Sequence, residues 1–113
     1  QHVVSGKLRA LAVTSRQRLK SLPNVPTLSE SGMPKYEVLE WNGMFLPKKT
    51  PAELVQRLAT VVQAALADKQ VHERLEQAGV MPIGNTPAEF ARFVETESKR
   101  WQSLVKSRGI KLD

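Results

Sequence analysis

The sequence predicts an α/β fold, a mixed sheet with flanking helices, on three observations. Residues 8–14 are apolar almost without a break. Residues 41–46 form a second apolar run. The tetrapeptide Thr-Pro-Ala-Glu opens an amphipathic stretch twice, at Thr50 and at Thr86. A run that is apolar on both faces suits a strand of a parallel sheet, covered by helices on either side. At 113 residues there is room for one domain with a modest core.

Taken in order, His2, Val3 and Val4 read as the last turn of a helix that ends at Ser5-Gly6, with His2 on the surface. Leu8, Ala10, Leu11, Ala12 and Val13 then make the first strand, entered past Lys7 and Arg9. The connector after Thr14 carries Arg16, Arg18 and Lys20. Three scattered charges read as a solvated loop rather than a binding stripe. Pro23-Asn24-Val25-Pro26 fixes two φ angles and biases Leu22 and Val25 to extended backbone, which makes a rigid elbow. Thr27 caps the turn that follows, Glu30 completes a capping box, and Gly32 supplies a left-handed stop.

A turn around Pro34 leads into residues 36–40, which alternate in polarity. Residues 41–46 read as a second, buried strand, with Gly43 marking a close backbone approach. Trp41, beside Asn42 and Gly43, has two readings: a core ring with its indole N–H satisfied, or the wall of a cleft. Thr50 as N-cap, Pro51 at the first position and Glu53 at the third open a helix to about Asp68. Leu54, Leu58, Val61, Val62, Ala65 and Leu66 form its apolar stripe, with Gln63 outside. A second helix over 70–78 stops at Gly79. His72 and Glu76, one turn apart, read as a solvated pair, since two residues do not make a metal site. Residues 80–83 are a short edge piece interrupted by Pro82. Thr86-Pro87-Ala88-Glu89 opens the last helix, to about Ser107. Glu97 falls in its apolar stripe and must reach the rim or pair with a cation such as Arg100 or Arg57, because an unpaired buried carboxylate is costly. Gly109 ends the helix, and residues 110–112 dock as a short tail.

The net charge is +6 and the isoelectric point about 10.0. Aromatic residues are 5%, too few for a base-stacking surface, so nucleic acid is not the expected partner. With no cysteine, disulfides, zinc–thiolate sites and cysteine nucleophiles are excluded. No run of some 18 apolar residues marks a membrane span. No phosphate-binding glycine loop or nucleophile–base set appears, so no enzyme and no cofactor are expected. Two readings remain open on the residues alone. One is a cleft that binds a small anion through hydroxyls, backbone amides and a positive field. The other is a stand-alone basic module that binds nucleic acid or a protein partner, which a steep salt dependence would reveal.

The ordered segments GKLRALAVTS, LPNVPTLSESG, YEVLEWNGMFLPKKTP, the ALAD helix and ERLEQAGV before TPAEF resemble one family across nearly the whole chain. They are similar to the C-terminal part of the extracytoplasmic solute receptors of tripartite tricarboxylate transporters, the Bug-type proteins. The family commonly has an aromatic where this chain has Asn42. The resemblance implies the C-terminal portion of a two-lobed periplasmic-binding-protein (type II) fold that closes around a small carboxylate. Residues 1–22 would be the crossing strand and hinge connector, and residues 23–113 the closing part of one lobe. It further implies an exported, periplasmic receptor that hands a di- or tricarboxylate or similar organic anion to a membrane permease. Thr14 and Ser15, at the end of the crossing strand, and Trp41 and Asn42 are the expected ligand-facing residues. Other ligand-holding residues are expected upstream of this chain. A portion of such a receptor would expose apolar surface and is expected to dimerise or exchange strands.

Overall fold

In the computed structural model, residues 2–111 are described. The chain divides into two units, Gln1–Phe45 with Gln77–Gly79, and Leu46–Glu76 with Val80–Asp113.

The second unit is helical. Helix α1 spans Ala52–Ala67, α2 Lys69–Gln77 and α3 Pro87–Arg108, and α1 packs on α3. Asp68 ends α1 in extended backbone. Its carboxylate then accepts from the N–H groups of Gln70 and Val71 at 3.0 and 3.1 Å, so one residue closes one helix and caps the next. Gly79 stops α2 at φ 79°, where the Val80 N–H reaches back to the Leu75 carbonyl. Gly109 stops α3 at φ 61°, and the Ile110 N–H bonds the Val105 carbonyl in the same way. Of the expected tail, Leu112 lies outside the described residues.

Helix α3 opens with a complete capping box. The Thr86 hydroxyl accepts from the Glu89 N–H, and the Glu89 carboxylate accepts from the Thr86 N–H at 2.8 Å. Thr50 does not do this for α1, contrary to expectation. Its hydroxyl donates to the Pro47 carbonyl at 2.8 Å, its N–H donates there too, and Pro51 takes the cap position without a side-chain bond. The half-buried line of α1 is also rotated from the expected stripe: it runs through Val55, Ala59, Val62, Gln63 and Leu66. Gln63 faces inward because its amide donates to the Gly84 carbonyl at 3.0 Å. Glu97 resolves as a paired carboxylate. It accepts from the Trp101 indole at 2.9 Å and from Arg100 at 3.3 Å, and the Arg100 guanidinium lies 5.5 Å from the Trp101 ring centroid.

The first unit is built from turns. Thr27 and Glu30 form a second complete box, with Glu30 N–H to Thr27 Oγ1 at 3.1 Å and Thr27 N–H to Glu30 Oε2 at 2.7 Å. Gly32 closes that turn at φ 100°. Val13 pairs with Thr27 in a parallel bridge, carried by Val13 N–H to the Pro26 carbonyl and Leu28 N–H to the Val13 carbonyl. On the other side, the Val38 N–H donates to the Thr14 carbonyl at 3.2 Å.

The two expected strands are not formed beyond that bridge. Among the described residues, 8–12 and 41–46 belong to no strand. Residues 41–46 are exposed rather than buried, with Met44 at 76% and Phe45 at 67%. Among the described residues no hydrophobic side chain is buried; the buried ones are Ser15 and Thr27. The physical reason is that a strand apolar on both faces needs partners on both edges and a layer on each face. This unit supplies one bridging partner at Thr27.

Candidate functional site

The segment that carries Thr14 and Ser15 is held where three short pieces meet: residues 13–15, the Pro26–Leu28 elbow and Val38. Thr14 is exposed, and its carbonyl is taken by Val38. Ser15 is 6% exposed, and its hydroxyl donates to the Gln17 carbonyl at 2.7 Å. The hydroxyl that the sequence nominates as a ligand donor is therefore engaged in shaping the connector. Trp41 is 37% exposed and Asn42 is exposed. The ring therefore stands partly exposed at the surface of this unit.

Two ion pairs tie the basic connector down. Arg18 Nε reaches both carboxylate oxygens of Glu30, at 3.0 and 3.1 Å, and its Nη1 donates to the Pro23 carbonyl. Hydrogen bonding from Arg18, and then from the Thr27 N–H, holds the Glu30 carboxyl below its ordinary range; the same pair raises Arg18. Arg16 Nε donates to Glu37 Oε2 at 2.7 Å across 21 positions of sequence.

Beside that second pair lies an open cleft of about 410 Å³, lined by Arg16, Ser29, Pro34, Lys35, Tyr36 and Glu37. The sequence does not single out these residues. Arg16 reads as a solvated connector charge, and Ser29 and Lys35 as ordinary turn positions. The turn itself is foreseen, and the Tyr36 N–H does bond the Met33 carbonyl. The long-range pairing of Arg16 with Glu37 leaves no local signal that could have found the cleft. Elsewhere, His72 and Glu76 stand 3.8 Å apart on α2. No group of three or more metal-ligating side chains occurs among the described residues, and none of the described helices is long and apolar enough to cross a membrane.

Residues 1–110 match the family described as "Tripartite tricarboxylate transporter family receptor". The chain belongs to that family, which is one of transporter receptors rather than enzymes. It is 42% identical over 106 residues to the "UPF0065 protein in tcbD-tcbE intergenic region" of Pseudomonas sp. (strain P51), covering 93% of this chain and 32% of the relative. It is 35% identical over 112 residues to "Protein BugT" of Bordetella pertussis, covering 99% of this chain and 34% of the relative. Among solved structures it is similar to the periplasmic binding protein BugD, with a TM-score of 0.84 and 39% identity over 98% of this chain and 38% of that one. It is also similar to R. palustris Rpa4515 with adipate, with a TM-score of 0.82 and 37% identity over 96% of this chain and 36% of that one. The fold class is thus that of a portion of a periplasmic binding protein. The chain spans about a third of the length of these two curated relatives.

Proposed function

We propose that the protein containing this chain is a periplasmic receptor that binds a small organic carboxylate and delivers it to a membrane permease. The observation that carries the reading is the family match over residues 1–110, joined to structural likeness to periplasmic binding proteins. That a similar structure is described with adipate supports a dicarboxylate as the first class to test. Residues 1–22 act as crossing strand and hinge connector, and residues 23–113 close one lobe. Thr14, Trp41 and Asn42 face the ligand, and Ser15, bonded to the Gln17 carbonyl, holds the connector beside them. The net charge of +6 raises the local concentration of an anionic solute. Nucleic acid is not a partner, and the chain on its own dimerises or exchanges strands through its open apolar surface.

A thermal-shift screen of the receptor-length protein tests this against citrate, C4–C6 dicarboxylates, aromatic carboxylates and acidic amino acids. A ligand at about a hundred times its Kd adds roughly 2.7 kcal/mol and raises the Tm. A shift with one or a few acids supports the reading, and Thr14→Ala and Trp41→Ala then weaken binding. Silence across the panel overturns the carboxylate class. Light scattering checks the second claim: a monomer at high concentration refutes dimerisation.

A further inference from the structure

The cleft beside the connector has a composition that the receptor reading does not use. Two cations line it, Arg16 and Lys35. Lys35 forms no ion pair among the described residues. Arg16 spends its Nε on Glu37 at 2.7 Å and keeps further N–H donors in its planar fork. The pair is exposed, with side chains at 80% and 30%, so solvent screens it and little free energy opposes its exchange. Glu37 is itself a carboxylate, so the arginine is already engaged with the chemical group the receptor reading calls for. The cleft's volume of about 410 Å³ is in the range that small ligands occupy. Its place in the chain fits as well. Arg16 follows Thr14 and Ser15 directly, and Glu37 precedes Val38, whose N–H binds the Thr14 carbonyl.

We propose that this cleft is a carboxylate subsite: Arg16 and Lys35 hold one carboxylate of the ligand, and Glu37 occupies Arg16 until that ligand displaces it. The proposal rests on the receptor reading and deepens it. Glu37 sets a threshold, because a ligand gains only the difference between its own bond to Arg16 and the one it replaces. Ser29 shapes the floor and does not recruit ligand, since its hydroxyl donates to the Pro34 carbonyl at 3.3 Å.

The test is a ¹⁵N–¹H NMR titration of the receptor-length protein with adipate and with citrate at constant ionic strength, with sodium chloride as the reference anion. Wild type, Arg16→Gln, Lys35→Gln and Glu37→Gln are compared. None of the three substitutions lies in α1, α2 or α3, so the dispersion of the amide spectrum checks folding around residues 13–38 and far-UV circular dichroism checks the helices. The expected result is amide shifts centred on residues 16 and 35–37. Arg16→Gln then weakens adipate about fivefold, Lys35→Gln weakens it by a smaller factor, and Glu37→Gln tightens it two- to fivefold, each roughly the worth of an exposed ion pair. The opposite signs at Arg16 and Glu37 are decisive. A merely structural pair makes both variants weaken binding alike, which overturns the proposal. Chloride reproducing the shifts also overturns it, as general ion binding. Adipate binding that none of the variants alters removes the subsite and leaves the receptor reading intact. No binding of adipate or citrate by wild type overturns the subsite and leaves the carboxylate reading to the full panel.

Discussion

Thr50-Pro51-Ala52-Glu53 and Thr86-Pro87-Ala88-Glu89 are the same four residues, and they begin their helices differently. At Thr86 the hydroxyl and the Glu89 carboxylate exchange the bonds of a full capping box. At Thr50 the hydroxyl and the N–H both turn back to the Pro47 carbonyl. The tetrapeptide is not the variable; the three residues before it are. Pro47-Lys48-Lys49 folds its carbonyl under Thr50 and competes for the hydroxyl. Gly84-Asn85 turns away at φ 66° and leaves the Thr86 hydroxyl to the helix. A capping signal is therefore an offer that a neighbouring acceptor can outbid. Thr27 and Glu30, in the first unit, form the box on a single closed turn. A box does not need a long helix to be made.

Three substitutions and an acid titration would break or sharpen this contrast. The largest effect is expected at Thr27→Ala. Thr27 is 1% exposed, and the change leaves the Glu30 N–H unserved in a crowded place; a loss of about 2 kcal/mol is expected. Thr86→Ala breaks an exposed box and costs about 1 kcal/mol. Both are read as shifts of the urea midpoint at constant m-value. Equal losses at Thr86 and Thr50 would show that the hydrogen bonds at Thr86 are not what stabilises α3.

Acid provides the next test. Hydrogen bonds from Arg18 and from the Thr27 N–H depress Glu30, and those from the Thr86 hydroxyl and N–H depress Glu89. A depressed carboxyl binds its proton less readily folded than unfolded. Its contribution is complete at neutral pH and is lost as the pH falls below the usual carboxylate range near about 4.3. The Thr86→Ala variant should therefore show a shallower acid limb than wild type. An unchanged limb would sink the assignment. The smallest effect is Thr50→Ala, expected at about 0.3 kcal/mol, since its exposed turn bond is replaced by water. A cost near that of Thr86→Ala would mean Thr50 caps α1 in solution after all.

Much of the helical unit was legible in the sequence. The Thr86-Pro87-Ala88-Glu89 start and the Gly109 stop located α3. Gly79 and Gly109 marked stops that positive φ angles bear out. Glu97 was recognisable as a carboxylate in need of a partner. These signals are local, within a turn or two, and act wherever the segment is placed. Whether the two apolar runs form strands is decided by contacts of the opposite kind. Residues 8–14 and 41–46 have the composition of strands, but strand pairing is made with distant residues, and among the described residues the one bridge is between Val13 and Thr27. The inward turn of Gln63 was equally hidden, because its acceptor, Gly84, is 21 positions away. Of the candidate site, Thr14, Ser15, Trp41 and Asn42 came from family likeness. Arg16, Lys35 and Glu37 came from neither composition nor spacing.

The order of motifs along the chain was enough to assign the family, the three helices, their glycine stops and two of the three threonine caps. All of these depend on residues close in sequence, where side-chain chemistry and backbone preference act directly. Tertiary structure alone decided that Ser15 is buried and bonded to Gln17, that Thr50 serves Pro47, and that Arg16 meets Glu37 beside a cleft. Those outcomes depend on which acceptor the folded backbone brings within about 3 Å, and a hydrogen bond discriminates over a distance far shorter than sequence spacing can specify.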